Sequence, residues 1–382
     1  MKTILPGATI GILGGGQLGR MLAVSAQQMG YRVIGFTPDE DSPLSQVCAK
    51  TIVAPFEDLD AIRLFGQEAR VVTLEFENIP RESYEEVGRV TKIAPSPEAL
   101  YISQNRLREK TYLSDHGFPV VPFHHVDSVT SLETAISRIG LPAVLKTSGW
   151  GYDGKGQSFV DSAEMAKQSF ELAFGKSDCI FEKFIRYDKE ISVIVARGAY
   201  GEVKAYGPIE NVHRNHILDL SSVPARINWR LANEAIEMAI GVAESLDING
   251  LLCVEFFIAD HDRLLINEIA PRPHNSGHYT IEACPTSQFE QHIRAITGMP
   301  LGKTEPHSAA AMANLLGDLW DGGEPEWSYT LEVPDVHLHL YGKAKARKGR
   351  KMGHLTACAR WTEESQELVL KARDRLTAAR IG

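Results

Sequence analysis

Leu251-Leu252-Cys253-Val254-Glu255-Phe256-Phe257-Ile258, followed after a short gap by Arg263-Leu264-Leu265-Ile266-Asn267-Glu268-Ile269, is the most informative stretch of the chain. Both runs are apolar and suited to strands, and each carries one glutamate among apolar neighbours. A hairpin with a two-residue loop at His261-Asp262 pairs Asp260 with Arg263 and Ile258 with Leu265, and the same count sets Glu255 opposite Glu268. Like charges facing across a ladder are destabilising unless a cation sits between them. Hard cations such as Mg2+ take carboxylate and amide oxygens and leave positions for phosphates, so Glu255, Asn267 and Glu268 form a candidate metal cradle. A slipped register, or an arginine pairing with one glutamate, would dissolve it.

Upstream, the short apolar strand Ala143-Val144-Leu145 ends in Lys146 and runs into Thr147-Ser148-Gly149-Trp150-Gly151-Tyr152-Asp153-Gly154-Lys155-Gly156-Gln157. Glycines this dense beside two lysines can lay N–H donors over a polyphosphate. The Walker pattern G-x-x-x-x-G-K-[ST] is absent, and a plain flexible hairpin is the alternative reading.

Nearer the start, Gly14-Gly15-Gly16-Gln17-Leu18-Gly19 follows a strand and opens a helical pattern, which suits a phosphate at a helix N-terminus. A dinucleotide site expects an acidic residue at the end of the second strand, where Thr37-Pro38 stands instead. A mononucleotide, a dinucleotide and a purely structural turn all remain open. Glu75-Phe76-Glu77-Asn78 follows another apolar strand, at the sheet edge where open α/β sheets bind ligands; an ordinary acidic loop is the other possibility. The first hundred residues alternate strand and helix patterns in the manner of α/β units. Mixed α+β patterns run on to about residue 300, and the remainder holds the alternating segment Val336–Tyr341, a basic run from Lys343 to Lys351 and a closing amphipathic helix.

Composition narrows the classes. Forty Lys and Arg against 49 Asp and Glu give a net charge of -9, which argues against a chain that coats nucleic acid or an anionic membrane. The basic run Lys343–Lys351 lacks the interleaved aromatics of a nucleic-acid surface. Five scattered cysteines without a C-x-x-C pair indicate a reducing, cytoplasmic setting. No apolar run approaches the ~18 residues of a membrane span, and Pro6 with Gly14-Gly15-Gly16 interrupts the faint likeness to a signal peptide. His274 and His278 lack the H-E-x-x-H glutamate and the helix that zinc would need.

Five motifs, in order along the chain, resemble the ATP-grasp superfamily and, within it, the N5-carboxyaminoimidazole ribonucleotide synthetases. They are Gly14-Gly15-Gly16-Gln17-Leu18-Gly19-Arg20-Met21, Asn105-Arg106-Leu107, Gly151–Gln157, Asn267-Glu268-Ile269-Ala270-Pro271-Arg272-Pro273-His274-Asn275-Ser276-Gly277-His278, and Gly349-Arg350-Lys351-Met352-Gly353-His354-Leu355. The resemblance implies an α/β plus α+β fold in three parts. These are a Rossmann-like parallel-sheet domain over 1–103, an ATP-grasp domain over 104–298 with a lid at about 118–181, and a small C-terminal domain over 299–382 that completes a ribonucleotide site. It also implies a cytoplasmic homodimer that uses ATP and Mg2+ to carboxylate 5-aminoimidazole ribonucleotide with bicarbonate, through carboxyphosphate, in purine biosynthesis.

Residue by residue, the resemblance places Arg106 and Lys146 on the ATP phosphates, under a loop formed by Gly151, Tyr152, Asp153, Gly154, Lys155, Gly156 and Gln157. Glu182, Lys183, Phe184 and Ile185 correspond to the adenine hinge, with Glu190 on the ribose and His213 nearby. Glu255 and Glu268 would hold the metal, with Asn267 beside them. Asp153, Arg272, His274 and Lys351 are the expected catalytic residues. Gly16, Gln17, Leu18, Glu75, Glu77, Asn78, Asn275, Ser276, Arg350 and Lys351 are expected around the ribonucleotide. The alternatives are a sibling ligase of the glycinamide ribonucleotide transformylase or biotin carboxylase type, an NAD-binding oxidoreductase resting on the glycine loop alone, and a non-catalytic nucleic-acid-binding protein resting on the basic run alone.

Overall fold

The computed structural model describes residues 2–149, 156–174 and 178–378, so Gly151, Tyr152, Asp153, Gly154 and Lys155 of the expected phosphate loop lie outside the described residues. Three sheets organise the rest. The first is all-parallel, with Lys50–Val53, Arg32–Thr37, Thr9–Leu13, Val71–Leu74 and Lys92–Ile93 in spatial order. Ile10, Ile12, Val33, Phe36, Val71 and Leu74 are all buried, which is why these strands read as continuous apolar runs rather than alternating ones. Chain order reverses between Thr9–Leu13 and Val71–Leu74, and at this switch point the glycine loop and Glu75–Asn78 emerge side by side.

The second sheet is antiparallel, in the order Phe123–Val126, Cys179–Lys183, Ala143–Thr147, Gln157–Val160. The helices Val129–Ile139 and Ala163–Ser169 cover it through Leu132, Ala135 and Ala166. The helix Ala163–Ser169 gives way at Phe170 to a single π-helical turn, Phe170–Phe174. Lys146 and Glu182 stand diagonally across two neighbouring strands and so share a face.

The third sheet has eight antiparallel strands in the order Arg263–Ala270, Gly250–Ala259, Tyr187–Arg197, Val203–Arg214, Ile217–Val223, Ala309–Leu316, Lys351–Ala359, Val336–Leu340. The last three come from beyond residue 300, so the C-terminal region extends the central sheet, with its own helix Thr362–Ala378 packed on it. One face of the central strands packs Val193, Val254, Phe256 and Ile266 under the helix Trp229–Ser245. Asn228 caps that helix by accepting from the Leu231 N–H at 2.9 Å.

The hairpin differs in detail from its expected register. Its turn is a three-residue 3-10 turn, Asp260–Asp262, with His261 and Asp262 at φ of 62° and 58°. Ile258 therefore pairs with Leu264 and Phe256 with Ile266, one residue off the expectation. A β-bulge at Asn267 then inserts one residue, and Glu255 returns to a position opposite Glu268. Leu265 and Glu268, three apart, consequently face the same side of the sheet.

Candidate active site

One cavity of about 1030 Å³ lies where the three sheets converge. Among the expected residues it is lined by Gln17, Leu18, Glu75, Glu77, Asn78, Arg106, Lys146, Gln157, Glu182, Lys183, Phe184, Ile185, Glu190, His213, Glu255, Asn267, Glu268, Arg272, His274, Asn275 and Lys351.

At the end built by the antiparallel sheets, Asn105 caps the helix Arg106–Asp115 by accepting from the Arg108 N–H at 3.0 Å, which fixes Arg106 in the first turn. The Arg106 guanidinium donates to the Thr147 carbonyl at 2.9 Å, tying that helix to the end of the Lys146 strand. The Glu182 carboxylate receives Lys146 Nζ at 2.6 Å and stands 3.6 Å from Lys110 Nζ. Burial opposes its charge, but the two lysines outweigh burial and hold its pKa at about 2. Glu182, expected as part of an adenine hinge, thus acts through its side chain as a counter-ion inside a lysine pair. The Glu190 carboxylate lies against His213 Nδ1, and its charge raises the imidazole's proton affinity against the opposing effect of burial.

His274 Nε2 lies 2.8 Å from the Glu255 carboxylate. Burial works against ionisation of Glu255, yet the charges around it, His274 foremost, bring it down to about 2. Glu268 is raised instead, first by its depth in the protein and then by Glu255; its side chain opens to the cavity, and solvent there tempers the effect. Glu109, one turn along from Arg106, is buried, raised well above the usual carboxylate range by desolvation, and has one carboxylate oxygen without a hydrogen-bond partner.

At the parallel-sheet end, Glu77 and Arg272 form a two-pronged pair at 2.5 and 2.9 Å. Burial pushes the Glu77 carboxyl up, but Arg272 more than offsets it and keeps it ionised. Glu75 reaches into the glycine loop, accepting from the Gly16 N–H and, at 3.0 Å, from the Gly19 N–H. Its pKa is raised by burial, with these two donors pulling the other way. A Cβ on Gly16 would overlap the Glu75 carboxylate, which explains the glycine there.

Three expected ribonucleotide contacts lie apart from the cavity lining. The Gly16 N–H is engaged by Glu75. Ser276 is fully buried behind His274, with its hydroxyl 2.8 Å from Nδ1. Arg350 turns away to donate to the Lys345 carbonyl at 2.7 Å, while its neighbour Lys351 faces inward.

Comparison with known proteins places this geometry in a family. Residues 7–104 match the ribonucleotide synthetase preATP-grasp domain, 111–289 the ATP-grasp domain and 310–368 the phosphoribosylaminoimidazole carboxylase C-terminal domain. The N5-carboxyaminoimidazole ribonucleotide synthase of Bacillus subtilis is 44% identical over 360 residues, covering 93% of this chain and 92% of its own. The chain belongs to the N5-carboxyaminoimidazole ribonucleotide synthase family. A crystal structure of a family synthetase as an ADP complex superposes with a TM-score of 0.93 at 41% identity, covering 100% of both chains. The Aspergillus clavatus synthase, in complex with ADP and 5-aminoimidazole ribonucleotide, matches with a TM-score of 0.88 at 31% identity, covering 97% of this chain and 99% of its own.

The hairpin residues suit the divalent cation expected from the sequence. Glu255 and Glu268 are neighbouring carboxylates with the bulged Asn267 beside them, all facing the cavity. Two carboxylates facing each other and open to the cavity, with an amide oxygen beside them, are the hard oxygen donors that suit Mg2+. Sequence reading missed Glu109 and Lys110. The available signal was their spacing from Arg106: positions i+3 and i+4 on a helix lie on the same face.

Proposed function

We propose that this chain uses ATP to carboxylate the exocyclic amine of 5-aminoimidazole ribonucleotide with bicarbonate, giving N5-carboxyaminoimidazole ribonucleotide, ADP and phosphate in purine biosynthesis. The observation that carries the reading is the single cavity that joins a Lys146 and Arg106 end to a Glu77, Arg272 and Lys351 end, with His274 and the two hairpin glutamates between.

Arg106 and Lys146 bind the ATP phosphates, with Gln157 lining the same cavity. Magnesium, held by Glu255, Glu268 and Asn267, would neutralise charge on the transferred phosphoryl group. Bicarbonate rests near Arg272 and His274, accepts the γ-phosphoryl group and becomes carboxyphosphate. The ribonucleotide amine then bonds to the carboxyl carbon as the C–O bond to phosphate breaks, and it gives up one proton to the departing phosphate. Gln17, Leu18, Asn78, Asn275 and Lys351 hold the ribonucleotide, and Glu75 and Glu77 fix the geometry of its pocket. Lys183, Phe184 and Ile185 flank the adenine, with Glu190 and His213 at the ribose.

A dinucleotide at the glycine loop is disfavoured because Glu75 already accepts from the N–H groups of Gly16 and Gly19. We place the parts at 1–103, 104–298 and 299–382. The four-stranded sheet over 123–183 supports a lid at about 118–181. No described helix is long and apolar enough to cross a membrane. A cytoplasmic homodimer is part of the same proposal, and light scattering on the purified protein would read two chains per particle.

The main test measures ADP release with 5-aminoimidazole ribonucleotide and bicarbonate each omitted in turn. Release that ignores the ribonucleotide removes the substrate assignment. Lys351→Ala should raise the ribonucleotide KM about tenfold or more while leaving that of ATP nearly unchanged, since a lost charged contact to phosphate is worth a few kcal/mol. Equal changes in both would make Lys351 structural.

A further inference from the structure

A row of polar side chains crosses the eight-stranded sheet between the apolar cluster of Ile194, Ile209 and Cys253 and the cavity. Ser192 pairs directly with Glu255 on one neighbouring strand; on the other, Asn211 lies opposite Glu190, two residues from Ser192, and pairs with Ser221 on the next strand, so all four point to one face. Ser192, Ser221 and Ser276 are fully buried and Asn211 nearly so. Burying such groups costs free energy unless each is hydrogen-bonded, and here each is, in one connected line. Ser221 Oγ donates to Asn211 Oδ1 at 2.8 Å, and Asn211 Nδ2 donates to Ser192 Oγ at 2.9 Å. Ser192 and Ser276 hydroxyls lie 2.8 Å apart, and Ser276 Oγ lies 2.8 Å from His274 Nδ1.

The direction of the line follows from its donors. The Ser276 backbone N–H also points at His274 Nδ1, at 3.3 Å, and a backbone amide only donates, so Nδ1 is an acceptor. The imidazole proton then belongs on Nε2, which faces Glu255 at 2.8 Å. With Nδ1 an acceptor, the Ser276 hydroxyl proton goes to His274, which leaves Ser276 Oγ to accept the proton of Ser192. Every donor in the row points toward the cavity.

We propose that Ser192 and Asn211, through Ser276, are positioning residues that hold His274 as its Nε2–H tautomer, aimed at Glu255. The proposal rests on reading this cavity as the carboxylation site. Without the row, Nδ1 keeps only the longer amide contact, and the ring is free to turn or to move its proton to Nδ1. Ser192 and Asn211 touch neither the cavity nor any expected ligand, so a role in substrate binding is separable from this one.

The test is Ser192→Ala, which removes one hydroxyl and leaves a side chain that fits the same space. Turnover should fall about tenfold, the scale seen when an outer-shell partner of a functional histidine is lost, with the KM for ATP unchanged. Nitrogen-15 spectra of histidine-labelled protein, with the His274 signals assigned by difference against His274→Gln, should show Nδ1 as an unprotonated acceptor in the wild type. In Ser192→Ala they should move toward a tautomer mixture. This readout does not depend on turnover, so it separates failure of the positioning role from failure of the carboxylase reading, which ribonucleotide-independent ADP release in the wild type would reveal. A wild-type spectrum with protonated Nδ1, or an unaltered tautomer in Ser192→Ala, overturns the proposal. Should Ser192→Ala fail to fold, Ser221→Ala at the far end of the row carries the same spectral test, with a smaller shift expected and no shift overturning it.

Discussion

Glu182 and Glu268 line the same cavity and meet opposite circumstances. Glu182 is sealed, 3% exposed, and held between Lys146 and Lys110, so the protein completes its charge balance unaided. Glu268 opens to the cavity, faces another carboxylate across the hairpin, and is raised rather than lowered. The contrast separates two uses of a carboxylate in one site. Glu182 braces Lys146 and Lys110, whereas Glu268 presents the charge that, in the function proposed above, a bound cation would complete.

The largest effect that could break this comparison is on stability. Glu182→Gln leaves the buried Lys110 and the half-buried Lys146 ammonium groups facing each other, and loss of one partner of a buried ion pair costs about 3–5 kcal/mol. Thermal unfolding should show a clear drop; an unchanged melting temperature would mean that the lysines find other partners. Next comes Glu268→Gln, which should cut turnover at least about a hundredfold, the scale of about 2.7 kcal/mol of transition-state stabilisation, while leaving the melting temperature unchanged or higher. Near-normal magnesium-dependent activity would remove Glu268 from the metal cradle.

The two residues should also differ in their response to acid. Glu182 sits at about 2 in the folded chain, below its unfolded value, so its stabilisation is complete above about pH 4.3 and is lost as pH falls toward 2. The stability gap between wild type and Glu182→Gln should therefore narrow over that acid window and stay constant above it. Glu268 is displaced the other way, so it takes up a proton at a higher pH than an ordinary glutamate, and magnesium affinity should begin to fall there, before Glu182 titrates. Magnesium titrations at a series of pH values would read this; affinity that holds down to the ordinary carboxylate range would contradict it. The smallest effect belongs to Glu109→Gln. Desolvation favours the protonated form of Glu109, so an amide of the same shape should change turnover by less than about threefold. A large loss would make Glu109 a third ionised ligand.

Much of this was legible in sequence because charge is conspicuous among apolar residues. Glu255 and Glu268 stood out for that reason, as did Lys146 at the end of a buried strand. Their facing position was anticipated on a count whose two errors cancelled. The turn is one residue longer than expected, and the bulge at Asn267 restores the register. Bulges depend on packing of both faces, which no local pattern reports. Ser276 was read as a ligand contact, but a hydroxyl two residues past a histidine can turn inward as easily as outward. The row of Ser192, Asn211 and Ser221 was invisible because it joins three strands whose mutual register no single segment specifies. The Glu75 carboxylate in the glycine loop was hidden similarly: the loop predicts an anion, and the chain brings one from 56 positions beyond Gly19.

The eight-stranded sheet also bears on how the protein is made. Ile217–Val223 pairs on one side with a strand close in sequence and on the other with Ala309–Leu316. Until the ribosome has delivered that later strand, the nascent chain carries an open β-edge with unpaired amide and carbonyl groups, the kind of template on which other chains aggregate. A stop codon placed after the ATP-grasp segment would therefore yield not a smaller soluble module but a sticky one, and chaperone demand should peak while residues 224–308 are being synthesised.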